Sequence, residues 1–100
     1  MIIHRFNPSV TTAGGEWSSN TLKLNGCLCQ QVYLKSASDD TTFDLSILDK
    51  NDIEIRKITS VSETVNDLTP FPCEGMLTVA ISNATADEAF TVLLCFIENY

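Results

Sequence analysis

The sequence predicts an all-β chain: an antiparallel β-sandwich, jelly-roll or Ig-like, of about seven or eight strands with an N-terminal arm. Three observations predict it. Short runs with apolar residues at alternate positions recur between turn signals roughly every 8–12 residues. No stretch of about ten residues places its apolar positions with the 3.6-residue period of a helix. The last run, Ala89 to Ile97, is apolar on both faces: Phe90, Val92, Leu94 and Phe96 point one way, and Leu93, Cys95 and Ile97 the other. A strand in a one-sided antiparallel sheet alternates apolar with polar. The second face of this strand therefore calls for a cover, either another layer of the chain or another copy of it.

The elements follow in order. Ile2 to Phe6 reads as a short strand. Asn7 to Asn20, with Pro8, Gly14, Gly15 and many Ser and Thr, reads as a loop or extended arm. Trp17 has two readings, an anchor for that arm or the start of the first core strand. The expected organisation is an N-terminal strand and polar arm over 1–20, then a β-sandwich domain over 21–100. Leu22 and Leu24 alternate with Lys23, and Asn25-Gly26 is a turn dipeptide. The alternation then places Leu28, Val32 and Leu34 on one face and Cys27, Cys29, Gln31, Tyr33 and Lys35 on the other. Ser36 to Asp40 is a polar loop. Thr41 to Ile58 reads as a hairpin, with Phe43, Leu45 and Ile47 on one side and a turn at Asp49-Lys50-Asn51-Asp52. Ser60 to Leu68 spaces Val61 and Val65 four apart, but its Val, Thr and Ser content favours a strand. Thr69 to Gly75 carries Pro70 and Pro72 and is expected to stay out of regular pairing. Met76 to Ile81 is a strand, Asn83 to Glu88 a polar turn, and Glu98-Asn99-Tyr100 a free or docking tail.

A chain of 100 residues with 44 % hydrophobic residues holds one modest core. It has no apolar run of about 18 residues, so no transmembrane helix is expected. The opening Met1-Ile2-Ile3-His4-Arg5-Phe6 is too short in its apolar part for a signal peptide, which points to synthesis in a cytoplasm. The net charge of −7 is uneven. Residues 1–36 hold three basic residues against Glu16, a balance of +2; residues 37–100 hold three against twelve acids, a balance of −9. An acidic body repels phosphate, so nucleic acid is not an expected partner.

Cys27, Cys29, Cys73 and Cys95 allow three disulfide pairings, and spacing does not choose among them. Free buried thiols are the expectation for a chain without a secretory leader. Zinc sites favour C-x₂₋₄-C pairs or His partners. This chain has C-x-C, two scattered Cys and the single His4, so no metal site and no cofactor are expected. Asp49-Lys50-Asn51-Asp52 starts like a calcium loop but has Glu54 and Ser60 where such a loop needs Gly and Glu. Asp39-Asp40 and Asp87-Glu88 read as solvated loop tips. There is no G-x-S-x-G, phosphate-binding glycine loop or H-E-x-x-H. No catalytic residue is expected. Asn83-Ala84-Thr85 fits a glycosylation acceptor, but more simply a strand-ending turn. Trp17, Tyr33 and Tyr100 are the aromatic residues with polar tips that a sugar platform would use.

Two segments carry a resemblance. Thr42-Phe43-Asp44-Leu45-Ser46-Ile47-Leu48-Asp49, with its turn and Arg56, is one; Gly75-Met76-Leu77-Thr78-Val79-Ala80-Ile81-Ser82-Asn83-Ala84-Thr85, followed by Phe90-Thr91-Val92, is the other. Together they resemble small β-sandwich structural proteins of tailed bacteriophages, including head decoration or cement proteins. The resemblance spans roughly residues 27–97. It implies a non-enzymatic virion protein that binds the major capsid or another virion protein, with homo-oligomers, trimers among them. The residues expected at subunit interfaces are Val10, Trp17, Leu93, Cys95 and Ile97. The alternative reading is a β-sandwich module for a glycan or small ligand, built on an exposed groove with Tyr33 and Trp17.

Overall fold

The computed structural model describes residues 2–21, 23–37 and 42–98. Leu22, the Asp39-Asp40 pair, the Thr41 start of the hairpin and the Asn99-Tyr100 tail lie outside the described residues. The described residues form ten strands: β1 (Ile2–Phe6), β2 (Ser9–Thr11), β3 (Trp17–Asn20), β4 (Leu24–Ser36), β5 (Thr42–Leu48), β6 (Glu54–Ser62), β7 (Thr64–Asp67), β8 (Phe71–Gly75), β9 (Thr78–Ser82) and β10 (Ala89–Glu98). They make two antiparallel sheets, a β-sandwich. In the first sheet β10 and β4 lie side by side at the centre. β1 and β2 both pair with the free edge of β10, and β7 and β8 both pair with the far edge of β4. The second sheet runs β3-β9-β5-β6.

The strand count exceeds the sequence expectation because two edge lines are each broken near a proline. Asn7-Pro8 separates β1 from β2, and Leu68-Thr69-Pro70 separates β7 from β8. Proline has no N–H to give to a ladder, so it interrupts pairing there. Each sheet thus has four strand positions. Asn7 to Asn20, expected as an arm, supplies β2 and β3, and Thr69 to Gly75, expected as an unpaired loop, supplies β8. Pro72 is tolerated because β8 is an edge strand, where one side needs no donor.

The core lies between the sheets. Phe90, Val92, Leu94 and Phe96 of β10 are buried in it, as the alternation predicts. Phe43, Leu45 and Ile47 of β5 meet them from the second sheet, and the Phe43 and Phe90 rings pack edge to face with centroids 4.9 Å apart. In β4 the alternation predicts the wrong partners. Cys27 and Cys29 share the core with Val32 and Leu34, and Leu28 is on the other face. The reason is a β-bulge: Cys95 pairs with Gln31 and Phe96 with Cys29, so Gln30 is an extra residue that reverses the phase of the strand. A second extra residue falls at Asn25-Gly26, with Gly26 at φ 57°. This dipeptide, expected to be a turn, is a kink within one long strand. Its glycine takes the left-handed backbone that either feature needs.

Further extra residues in β6 reset its register against β5. Ser60, at φ 53°, sits at one of them, and its N–H donates to Asp44 Oδ1 at 2.8 Å. Asn83 Nδ2 donates to the other carboxylate oxygen at 2.6 Å. These donors, Ser60 first and Asn83 second, hold the Asp44 carboxyl below its ordinary value of 3.8. Asp44 therefore adds stability above that ordinary value, and the contribution is lost as pH falls through its lower folded value. Urea midpoints measured against pH are expected to fall in acid less steeply for Asp44→Asn than for the native chain.

At the open edge the sheets are clasped by one ion pair. Arg56 of β6 reaches Asp67 of β7 at 3.0 Å, and its guanidinium lies 5.0 Å from the centroid of the buried Phe71 ring. At the opposite edge the leading segment is stapled to the β9–β10 connection. Thr12, which is buried, donates through Oγ1 to the Thr85 carbonyl at 2.6 Å and accepts from the Glu88 N–H at 3.0 Å. Its backbone makes two more bonds, to Glu88 and Asp87.

Candidate functional site

The two sheets differ on their outer faces. The second sheet follows the usual rule of apolar inside and polar outside. Its outward row crosses Ser18, Asn20, Asp44, Ser46, Lys57, Thr78, Ala80 and Ser82, with Leu48 as the one large apolar side chain among the paired residues. The first sheet carries apolar side chains on both faces, although its outer face mixes them with Arg5, Gln31, Tyr33, Lys35 and Thr91. Ile97 of β10 lies opposite Ile3 of β1 on one side and Leu28 of β4 on the other. Two residues along, Cys95 lies between Arg5 and Gln31, and Leu93 pairs with Tyr33. Ile3 is 44 % exposed, Leu28, Leu93 and Ile97 are half-buried, and Cys95 is buried.

No other element among the described residues lies across this face. The leading segment, expected as one possible cover, extends the sheet sideways by pairing with the edge of β10. The row Ile3–Ile97–Leu28, continued by Leu93, is a candidate interaction surface. Leu93, Cys95 and Ile97 are on it, although Cys95 is buried. Val10 is not: it pairs with Phe90 and is buried in the core, so it offers no surface to a partner. Trp17 opens β3 opposite Ile81 and packs half-buried against the core, as the second of its two readings has it. Trp17 and Tyr33 therefore belong to different sheets and different faces, and they do not line one groove.

The four thiols are free and buried. Cys27 and Cys73 are cross-strand partners, and the Cys73 thiol donates to the Cys27 carbonyl at 3.5 Å. Burial is the main cause that pushes Cys29 up to about 12 and Cys73 up to about 11. At neutral pH both are protonated and poor nucleophiles.

A second group of residues gathers where β1, β10 and β4 run together at one end. His4 Nε2 lies 3.3 Å from Glu98 Oε2, and one ligand atom each from His4, Cys27 and Glu98 falls within 4.8 Å of the other two. Cys27 is buried, and His4 and Glu98 are half-buried. Sequence spacing does not expose this cluster, because its members come from the beginning, the first third and the end of the chain. The strand register assembles it: Glu98 pairs with both Ile2 and Cys27, and His4 pairs with Phe96 one alternation away.

No known family model matches the chain, and no curated protein matches it.

Proposed function

We propose that this chain is a non-enzymatic structural subunit that works by docking on other protein subunits through the outer face of its first sheet. The observation that carries this reading is the row Ile3–Ile97–Leu28 with Leu93, apolar and uncovered on the outside of a sheet whose other face already fills the core. Apolar side chains grouped on an outer sheet face support a reading as an association surface. The phage-like segments around Phe43 and Val79 extend the proposal to a virion protein, a capsid decoration or cement subunit bound to the major capsid or another virion protein. Trimers fit such a role. Burial holds Cys29 and Cys73 protonated, which argues against these two thiols as nucleophiles.

Co-sedimentation tests the virion assignment. On this reading a phage genome encodes the chain; the purified chain is mixed with that phage's capsids, and bound and free fractions are separated by density. Saturable binding at a fixed copy number per capsid is expected, and its loss on Ile97→Lys. Absence of binding to capsids and to tails alike contradicts the virion reading. The glycan-module alternative has weaker support, because Trp17 and Tyr33 are on different faces; a hit on a glycan array abolished by Tyr33→Ala would favour it.

A further inference from the structure

We propose that His4, Cys27 and Glu98 form a binding site for a borderline-soft divalent cation, zinc by the chemistry of its donors, that ties the N-terminal strand to the centre of the first sheet. The donor set is one imidazole, one thiol and one carboxylate, the three ligand types that zinc accepts together. Zinc bonds of about 2.0–2.3 Å at tetrahedral angles put neighbouring nitrogen and oxygen ligands about 3.3 Å apart and place a sulfur about 3.6 Å from either. The His4–Glu98 separation of 3.3 Å already matches such an edge. The ceiling of 4.8 Å on the remaining separations leaves at most about an ångström to close. That is within reach of side-chain rotation, and the three backbones are fixed by their ladders.

The surroundings suit an ion as well. Cys27 is fully buried at the edge strands' end of the sheet, and the partly exposed His4 and Glu98 leave a path from solvent. Among the described residues the Cys27 thiol donates only to the Asn25 carbonyl, at a long 3.9 Å, so ligation forfeits little. On binding, the thiol proton passes to solvent and the thiolate, the neutral imidazole and the carboxylate each give a lone pair to the metal. Three protein ligands leave one position for water. The mechanical consequence follows from topology. β1 is an edge strand held to β10 alone, and an ion bound to all three residues would join β1, β10 and β4 at one end. This inference does not depend on the docking proposal, since the cluster lies on the inner face of the sheet and the apolar row on the outer.

The test is a titration of the full chain, kept reduced, with cobalt(II) as a spectroscopic probe and zinc as competitor. One equivalent of cobalt is expected to bind and to show thiolate-to-cobalt charge transfer with tetrahedral d–d bands. Zinc should displace it and raise the melting temperature in a concentration-dependent way. Cys27→Ser is expected to abolish the charge-transfer band, and Cys73→Ser to leave it. His4→Gln and Glu98→Gln, both at partly exposed positions, should each weaken binding at least about tenfold. They keep the test decisive even where the Cys27 variant folds poorly. No thiolate-to-cobalt band in the native chain, or a band unchanged by Glu98→Gln and His4→Gln, overturns the proposal.

Discussion

Gly15→Ala is expected to destabilise the fold by about 3 kcal/mol or more, as the sum of backbone strain and steric overlap. Gly15 sits at φ 84°, and a Cβ built there overlaps the Ala84 carbonyl oxygen. That contact is not with a flexible side-chain tip. Ala84 belongs to the β9–β10 connection and its N–H donates to the Gly15 carbonyl at 3.0 Å. Moving it pulls on the adjoining bonds that Thr12 makes to Thr85, Asp87 and Glu88. Gly26→Ala is the matched comparison. Gly26 has φ 57° with nothing within 4 Å of a built Cβ, so only the backbone term remains, about 1–2 kcal/mol. Urea midpoints for the two variants separate the terms. Equal losses would show that the leading segment is not stapled as described.

The second large effect is alkaline. Cys29 and Cys73 are raised from an ordinary value of 9.0 to about 12 and about 11, first by burial. A raised folded value means that the folded state holds the proton more tightly than the unfolded one. The resulting stability is fully present below pH 9.0 and is lost as pH rises toward the folded values. Urea-unfolding free energy is expected to hold between neutrality and about pH 9, then fall by a few kcal/mol before pH 11. Other groups titrate in that range, so the diagnostic quantity is the difference between the native chain and Cys29→Ala/Cys73→Ala. The variant should be less stable at neutral pH, from the lost packing, and should lose less on going to alkali. A parallel decline in both chains would contradict the assignment of these thiols to the core.

Much of the core is legible in the sequence, and the places where it is not have identifiable causes. Phe90, Val92, Leu94 and Phe96, or Phe43, Leu45 and Ile47, alternate without interruption, and period 2 alone assigns their faces. β4 has the same composition but contains Gln30, and one extra residue exchanges the faces of everything beyond it. Asn25-Gly26 reads the same in a hairpin turn and in a bulge, because both need a left-handed residue and only the partner strand distinguishes them. β2 and β3 escape notice because three or four residues rich in Ser and Thr carry no periodic signal; their pairing to β10 and β9 comes from distant chain. The doubly apolar β10 does point to the outer surface through Leu93 and Ile97. Its neighbours Ile3 and Leu28 join that surface only once the register is known, and the same holds for His4, Cys27 and Glu98.

The central claim is that the outer face of the first sheet is an assembly surface, and the most direct test is the mass of the chain in solution. The expected result in sedimentation equilibrium is a defined multiple of the 11.0 kDa chain that falls to one copy on Ile97→Lys, while the circular dichroism and urea midpoint of the variant stay near native. A native chain that stays at 11.0 kDa over the whole accessible concentration range and also binds no capsid or tail, or an oligomer that Ile97→Lys leaves intact, would contradict the claim.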